Sequence, residues 1–211
     1  MTFIAAEKHQ SQVPALQLLV ALGFTPLSQE EALRLRGGRL RNVVLDDVLV
    51  EQLMRINCFT HRGREYAFDL EDAHEAMRRL KPTPDRLKGL RGTNQDIYDT
   101  LVLGTTITKS IDGDSKSYSF RYIDWERPEN NVFHVTAEFS VERTASSQTK
   151  RCDIVAFVNG IPILVIENKR PTESLKKADS QLIGYQNEDN IPQLFHFAQL
   201  LIGMNRNEAR Y

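Results

Sequence analysis

The chain has 211 residues, of which 41% are hydrophobic, with two cysteines and a net charge of −1. That length can bury a sizeable core, as one domain or one domain plus a helical appendage, and the composition excludes a disordered chain. The near-zero charge excludes a domain that holds nucleic acid unaided through a strong basic excess, and no stretch reads as a membrane span or signal peptide.

In chain order, Val13, Leu16, Leu19 and Val20 line a helix stopped by Gly23 and Pro26. Residues 42–57 and 69–80 read as two more helices, the second ending before Pro82 and Pro84, and residues 94–103 as another. Residues 118–123 and 132–142 read as strands, followed by a hairpin of two apolar runs, 154–158 and 161–166, split by Asn159-Gly160. Leu175, Ala178, Leu182 and Tyr185 then recur at helical spacing, so residues 173–188 read as an amphipathic helix, and 198–204 as a last strand. Helices followed by strands, with a helix crossing over before the last one, predict an α/β fold: a mixed central sheet flanked by helices. Residues 1–92 form its helical amino-terminal part and residues 93–211 its core.

Charge closes the hairpin. Glu167 and Lys169 lie two apart on one strand and point to one face, with Asn168 pointing to the other. A two-residue Asn159-Gly160 loop would set Asp153 opposite Ile166 and split it from Glu167. A three-residue loop with Gly160 in a left-handed bulge position, or an equivalent one-residue bulge, puts Asp153 on the same face as Glu167, with Cα atoms about 7–8 Å apart. Two carboxylates so placed can reach one hard cation at about 2.0–2.1 Å from each oxygen. One chance Glu-x-Lys is expected in about this length of chain, so the position carries the argument: an ion pair ending so apolar a run, with an acid at matching depth, is an uncommon place for charge. Cys58 and Cys152 are too far apart for a paired metal motif and fit a reducing cytoplasm. The histidines at 9, 61, 74, 134 and 196 form no zinc pattern.

An Asp, a hairpin and Glu-x-Lys together resemble the PD-(D/E)xK nuclease superfamily, with Asp153, Glu167 and Lys169 in its three positions and Cys152 where a Pro is usual. Gln181-x-x-x-Tyr185 resembles the extra motif found in type I restriction enzyme R subunits and some RecB-like nucleases. Ile123-Asp-Trp-Glu-Arg-Pro, Val158-Asn-Gly-Ile-Pro-Ile and Ile191-Pro-Gln-Leu-Phe extend the likeness, as do Glu7, Gln12, Pro14-Ala15-Leu16 and Leu22-Gly23-Phe24 near the start. The chain as a whole therefore resembles the amino-terminal nuclease domain of a type I R subunit (HsdR family), with a restriction-endonuclease-like core.

That resemblance implies a cytoplasmic DNA endonuclease domain that hydrolyses phosphodiester bonds with Mg²⁺ held by Asp153, Glu167 and the Asn168 carbonyl. Lys169 would act on the attacking water or on developing charge, with Gln181 and Tyr185 in support and Glu7, Arg170, Lys176 and Lys177 as auxiliary residues. The implied partners are double-stranded DNA and the methyltransferase and specificity subunits. ATP would enter only through a helicase-like motor, for which the chain has no phosphate-binding loop. Because it stops at Tyr211, where such a motor would start, it reads as a fragment or truncated reading frame, weakly active or inactive alone. A stand-alone RecB-like or resolvase-type nuclease and a non-catalytic docking module are the alternatives.

Overall fold

In the computed structural model, the residues described are 11–211. They form helices α1 (Val13–Ala21), α2 (Gln29–Leu35), α3 (Asp46–Ile56), α4 (Leu70–Leu80), α5 (Gly89–Leu103), α6 (Lys176–Tyr185) and α7 (Pro192–Phe195). The strands are β1 (Thr25–Leu27), β2 (Cys58–His61), β3 (Arg64–Ala67), β4 (Thr105–Ile111), β5 (Asp114–Phe120), β6 (Phe133–Glu142), β7 (Thr149–Val158), β8 (Ile161–Asn168), β9 (Leu200–Met204) and β10 (Ala209–Arg210).

The central sheet runs β1-β6-β7-β8-β9-β10 and is mixed, as expected. β6, β7 and β8 pair antiparallel, whereas β1 joins β6 and β9 joins β8 in parallel. Parallel neighbours need a crossover, and α6 with α7 supplies it between β8 and β9. One face of the sheet carries Val155, Phe157 and Val165 against Leu49 and Leu53 of α3 and Leu182 and Tyr185 of α6. The other carries Val135, Ile154, Ala156 and Ile166 against Ala15 and Leu19 of α1. Burial on both faces explains the unbroken apolar runs of β7 and β8. Among the described residues, no helix is long and apolar enough to cross a membrane.

The amino-terminal part is not purely helical. The helix α1 ends at Gly23 (φ 98°), where Gly23 N–H donates to Val20 O and Phe24 N–H to Leu19 O, the bonding of a Schellman cap. The chain then turns into β1, where Pro26 is tolerated because the strand is short and lies at the sheet edge. Two small hairpins, β2–β3 and β4–β5, stand apart from the main sheet. Their turns, Arg62-Gly63 and Asp112-Gly113, have both residues at positive φ, but exposed Asp114, Ser115, Lys116 and Ser117 hide the strand alternation of β5.

Candidate active site

Of the two expected closures, the hairpin takes the one-residue bulge. Val158 pairs with Ile161 across a two-residue turn in which Asn159 and Gly160 have φ of 51° and 83°, not across a three-residue loop. Face sharing is achieved by a bulge further along: Phe157 pairs with Pro162 but Ala156 pairs with Leu164, leaving Ile163 as the extra residue beside a proline that has no N–H for the ladder. The shift persists through Val155↔Val165 and Ile154↔Ile166, the last paired rung, so Asp153 and Glu167 are the next residue of each strand beyond it. The turn is tight because its tip is buried. Asn159 Nδ2 donates to Tyr122 O (3.0 Å) and Asn131 Oδ1 (2.8 Å), its Oδ1 accepts from Val132 N–H (2.9 Å), and Gly160 O accepts from Leu45 N–H (2.8 Å).

Past Ile166 the two strands part. Asn168 N–H donates to Asp153 Oδ2 at 2.7 Å, while β8 stays paired with β9 through Asn168↔Met204. Lys169 Nζ donates to Asn168 O (3.0 Å) and Gln181 Oε1 (2.8 Å) and lies 3.7 Å from Glu167 Oε2. The ammonium therefore stands beside the two oxygen groups, Glu167 carboxylate and Asn168 carbonyl, that a cation would use. Tyr185 Oη donates to Arg151 O at 3.0 Å, so it must accept from Gln181 Nε2 at 2.5 Å, and this turns Gln181 Oε1 toward the lysine. Helical spacing predicts that Gln181 and Tyr185 share a face, and both reach the Asp153–Glu167 pair through Lys169.

Glu167 is 0% exposed, and neither carboxylate oxygen has a hydrogen bond of good geometry among the described residues; its polar neighbours are Asp153 and the Lys169 ammonium. Burial, and then the neighbouring Asp153 charge, push its carboxyl up to about 9, with Lys169 offsetting part of the rise. Asp153 is also raised, by burial first and by Glu138 to a lesser degree, against the lowering effects of Asn168 N–H and Lys169. Since folded Glu167 holds its proton more tightly than the unfolded residue, the metal-free fold loses stability as pH climbs from the usual 4.5 to about 9. Thermal melts in chelator across this interval should show Tm falling with pH in the wild type and a shallower fall in Glu167→Gln. Parallel slopes would mean that the carboxylate is not held in this environment.

The auxiliary residues lie at the edge. Lys176 and Lys177 are exposed, Lys177 donates to Glu173 Oε1 at 2.7 Å, and Arg170 Nε is 3.7 Å from Glu173 Oε2. Glu7 lies outside the described residues. Sequence reading gives no role to a second layer behind the pair. Ser11 Oγ donates to Asn168 Oδ1 (3.0 Å), Gln12 Nε2 donates to Asp153 O (2.8 Å) and Glu138 Oε1 (3.0 Å), and Arg151 Nε pairs with Glu138 Oε2 (2.7 Å). Of these residues the sequence likeness includes only Gln12, without a role, and Glu138 falls between the paired rungs Ala137↔Ile154 and Phe139↔Cys152.

The chain matches the family described as "Type I restriction enzyme R protein N terminus" over residues 4–211. It is 29% identical over 165 residues to the type I restriction enzyme HindI endonuclease subunit of Haemophilus influenzae, covering 67% of this chain and 15% of that protein. It is 32% identical over 140 residues to the type I restriction enzyme SauCOLORF180P endonuclease subunit of Staphylococcus aureus, covering 60% of this chain and 14% of that protein. The chain thus spans about a seventh of the curated relatives it matches here. With a match running through the paired carboxylates, the lysine and the helix behind them, the chain belongs to the family of type I restriction enzyme R protein amino-terminal regions.

Proposed function

We propose that this chain is the DNA endonuclease domain of a type I R subunit, with a PD-(D/E)xK core and a Mg²⁺ site at Asp153, Glu167 and the Asn168 carbonyl. The observation that carries the reading is Glu167: a fully buried carboxylate with no well-formed hydrogen bond, beside the Asp153 carboxylate and with only the Lys169 ammonium, 3.7 Å away, to offset its charge. Such a group is costly to bury unless it is neutralised or binds a cation. Among the described residues no group of three or more His, Cys, Asp and Glu is placed to hold a metal ion. Two carboxylates and a carbonyl suit Mg²⁺, which takes few protein oxygens and keeps several waters.

Bound there, the ion would polarise the scissile phosphate and lower the pKa of an attacking water. The protein's own contribution is positional. Gln181 and Asn168 O hold the Lys169 ammonium within 3.7 Å of Glu167, where it can donate to that water or offset phosphorane charge. Tyr185 fixes the sense of the Gln181 amide, and the apolar strand behind Glu167 limits solvent.

In the full subunit we assign cleavage to coupling with an ATP-driven motor, with the methyltransferase and specificity subunits bringing double-stranded DNA to the site in the cytoplasm. With Lys+Arg 27 against Asp+Glu 28, the chain by itself should bind DNA weakly and in a salt-sensitive way. Incubation of the purified chain with supercoiled plasmid and Mg²⁺ at physiological salt should give little or no cutting. Robust cutting without ATP or partners would favour a stand-alone nuclease. A chain that bound neither Mn²⁺ nor Mg²⁺ would be a docking module.

A further inference from the structure

Strand alternation breaks next to the carboxylate pair. Val135 lies in the core beneath α1, but Phe139 and Val141, an even number of residues further on, lie in the core on the opposite face. The same happens on the partner strand between Ile154 and Cys152. Pairing nevertheless continues on both sides of the break, with Ala137↔Ile154 and Phe139↔Cys152, so the irregularity is confined to the rung of Glu138 and Asp153. Glu138 has φ of 59°, the left-handed conformation that side chains with a Cβ rarely take and that outside a turn needs support from its surroundings.

The support is visible. A kink here takes the backbone of Asp153 out of the regular ladder and leaves its carbonyl in need of a donor. Gln12, 4% exposed at the start of α1, supplies it at 2.8 Å and spends its other N–H on Glu138 Oε1 at 3.0 Å. Arg151 Nε takes the second oxygen of Glu138 at 2.7 Å. Gln12 thus ties two neighbouring strands together at the residue whose backbone must be held for its carboxylate to face Glu167.

We propose that Gln12 and Glu138 are positioning residues for the cation site: the Gln12 carboxamide locks the kinked Glu138–Asp153 rung and thereby aims the Asp153 carboxylate at the place shared with Glu167. Neither touches the cation. The inference rests on the reading of Asp153 and Glu167 as that site. It explains why a long amide is buried at the mouth of α1, whose core contacts could be made by Ala15 and Leu19 alone. It also gives the exposed Arg151 a partner that holds it beside the carboxylates without adding charge to the site.

The test is Mn²⁺ titration calorimetry on the whole chain, with Tm recorded for each protein. Gln12→Met keeps the length of the side chain and removes both donors; Glu138→Leu removes the acceptor and leaves α1 untouched. Each should weaken Mn²⁺ binding about 10- to 100-fold, the usual cost of losing a group that orients a ligand, while Tm in chelator stays close to wild type. Glu138→Gln, which retains an oxygen for Gln12, should bind within a few-fold of wild type. Wild-type affinity in both Gln12→Met and Glu138→Leu overturns the inference, and so does a loss matched by Glu138→Gln. Should Gln12→Met fail to fold, Glu138→Leu and Glu138→Gln decide. Absence of Mn²⁺ binding in the wild type would instead sink the reading of the carboxylate pair itself.

Discussion

Asp153→Ala or Glu167→Ala, in a complex reconstituted with the partner subunits, should abolish double-strand cleavage and metal binding together. Each removes a carboxylate that the cation cannot replace, and losing several kcal/mol of transition-state stabilisation corresponds to about three orders of magnitude in rate. Lys169→Ala should separate the two properties, with cleavage down about 10²- to 10³-fold while the metal stays bound, because in the proposed mechanism the ammonium donates hydrogen bonds and offsets negative charge beside the site and is not a ligand. Tyr185→Phe should sit between these and the wild type. It keeps the ring that packs near Phe195 and removes the one hydroxyl that fixes Gln181, so any loss comes from the hydrogen bonds. ATP-driven translocation measured on the same preparations should survive all four changes. Equal loss of translocation and cleavage would point to a docking or folding defect, and full cleavage by the two carboxylate variants would end the nuclease reading.

The largest effect on stability should come from a single methyl group. A Cβ on Gly160 would lie 2.6 Å from Leu45 O and 3.0 Å from Leu49 N, both backbone atoms, and Gly160 also has φ of 83°. Neither the conformation nor the contact can be relieved locally. The tip of the hairpin is pinned between Tyr122, Asn131 and the start of α3. Gly160→Ala should therefore destabilise the fold by about 3–5 kcal/mol, combining left-handed strain with backbone overlap. For a chain of this size that lowers Tm by about 2–4 °C per kcal/mol. Denaturant titration checks it: a wild-type midpoint would show that the tip is not docked against α3. Gly113→Ala is the comparison, since it has a similar φ of 82° but nothing within 4 Å of its Cβ, and it should lose only the conformational part.

The two glycines mark the limit of what the sequence expresses. Asn159-Gly160 and Asp112-Gly113 are both turn signals, yet nothing local tells that one tip is buried under a helix and the other is solvated. The hairpin, its charged end and the Gln181–Tyr185 helix face are legible because strand and helix periods are local properties of side-chain direction. The means by which Asp153 meets Glu167 is less so. Parity requires one irregularity somewhere, and Pro162 hints where, but the tight turn that leaves the bulge to the strand is held by tertiary partners, Leu45 far back in the chain and Tyr122, Asn131 and Val132. Glu138 lies further from reach. A left-handed glutamate within a strand runs against its own preference, and only Gln12 and Arg151, brought in by the tertiary fold, make it tenable. Short β1 escapes notice for a related reason: three residues containing a proline become a strand only because β6 offers an edge.

The most direct test of the carboxylate pair as a cation site is anomalous scattering from crystals of the chain grown with Mn²⁺. A peak should lie between the Asp153 and Glu167 carboxylates, within about 2.0–2.2 Å of an oxygen from each, with Lys169 Nζ moved off Asn168 O and retained by Gln181. The same density map without such a peak, with Glu167 still buried against Asp153 and the ammonium still on the Asn168 carbonyl, would contradict the account.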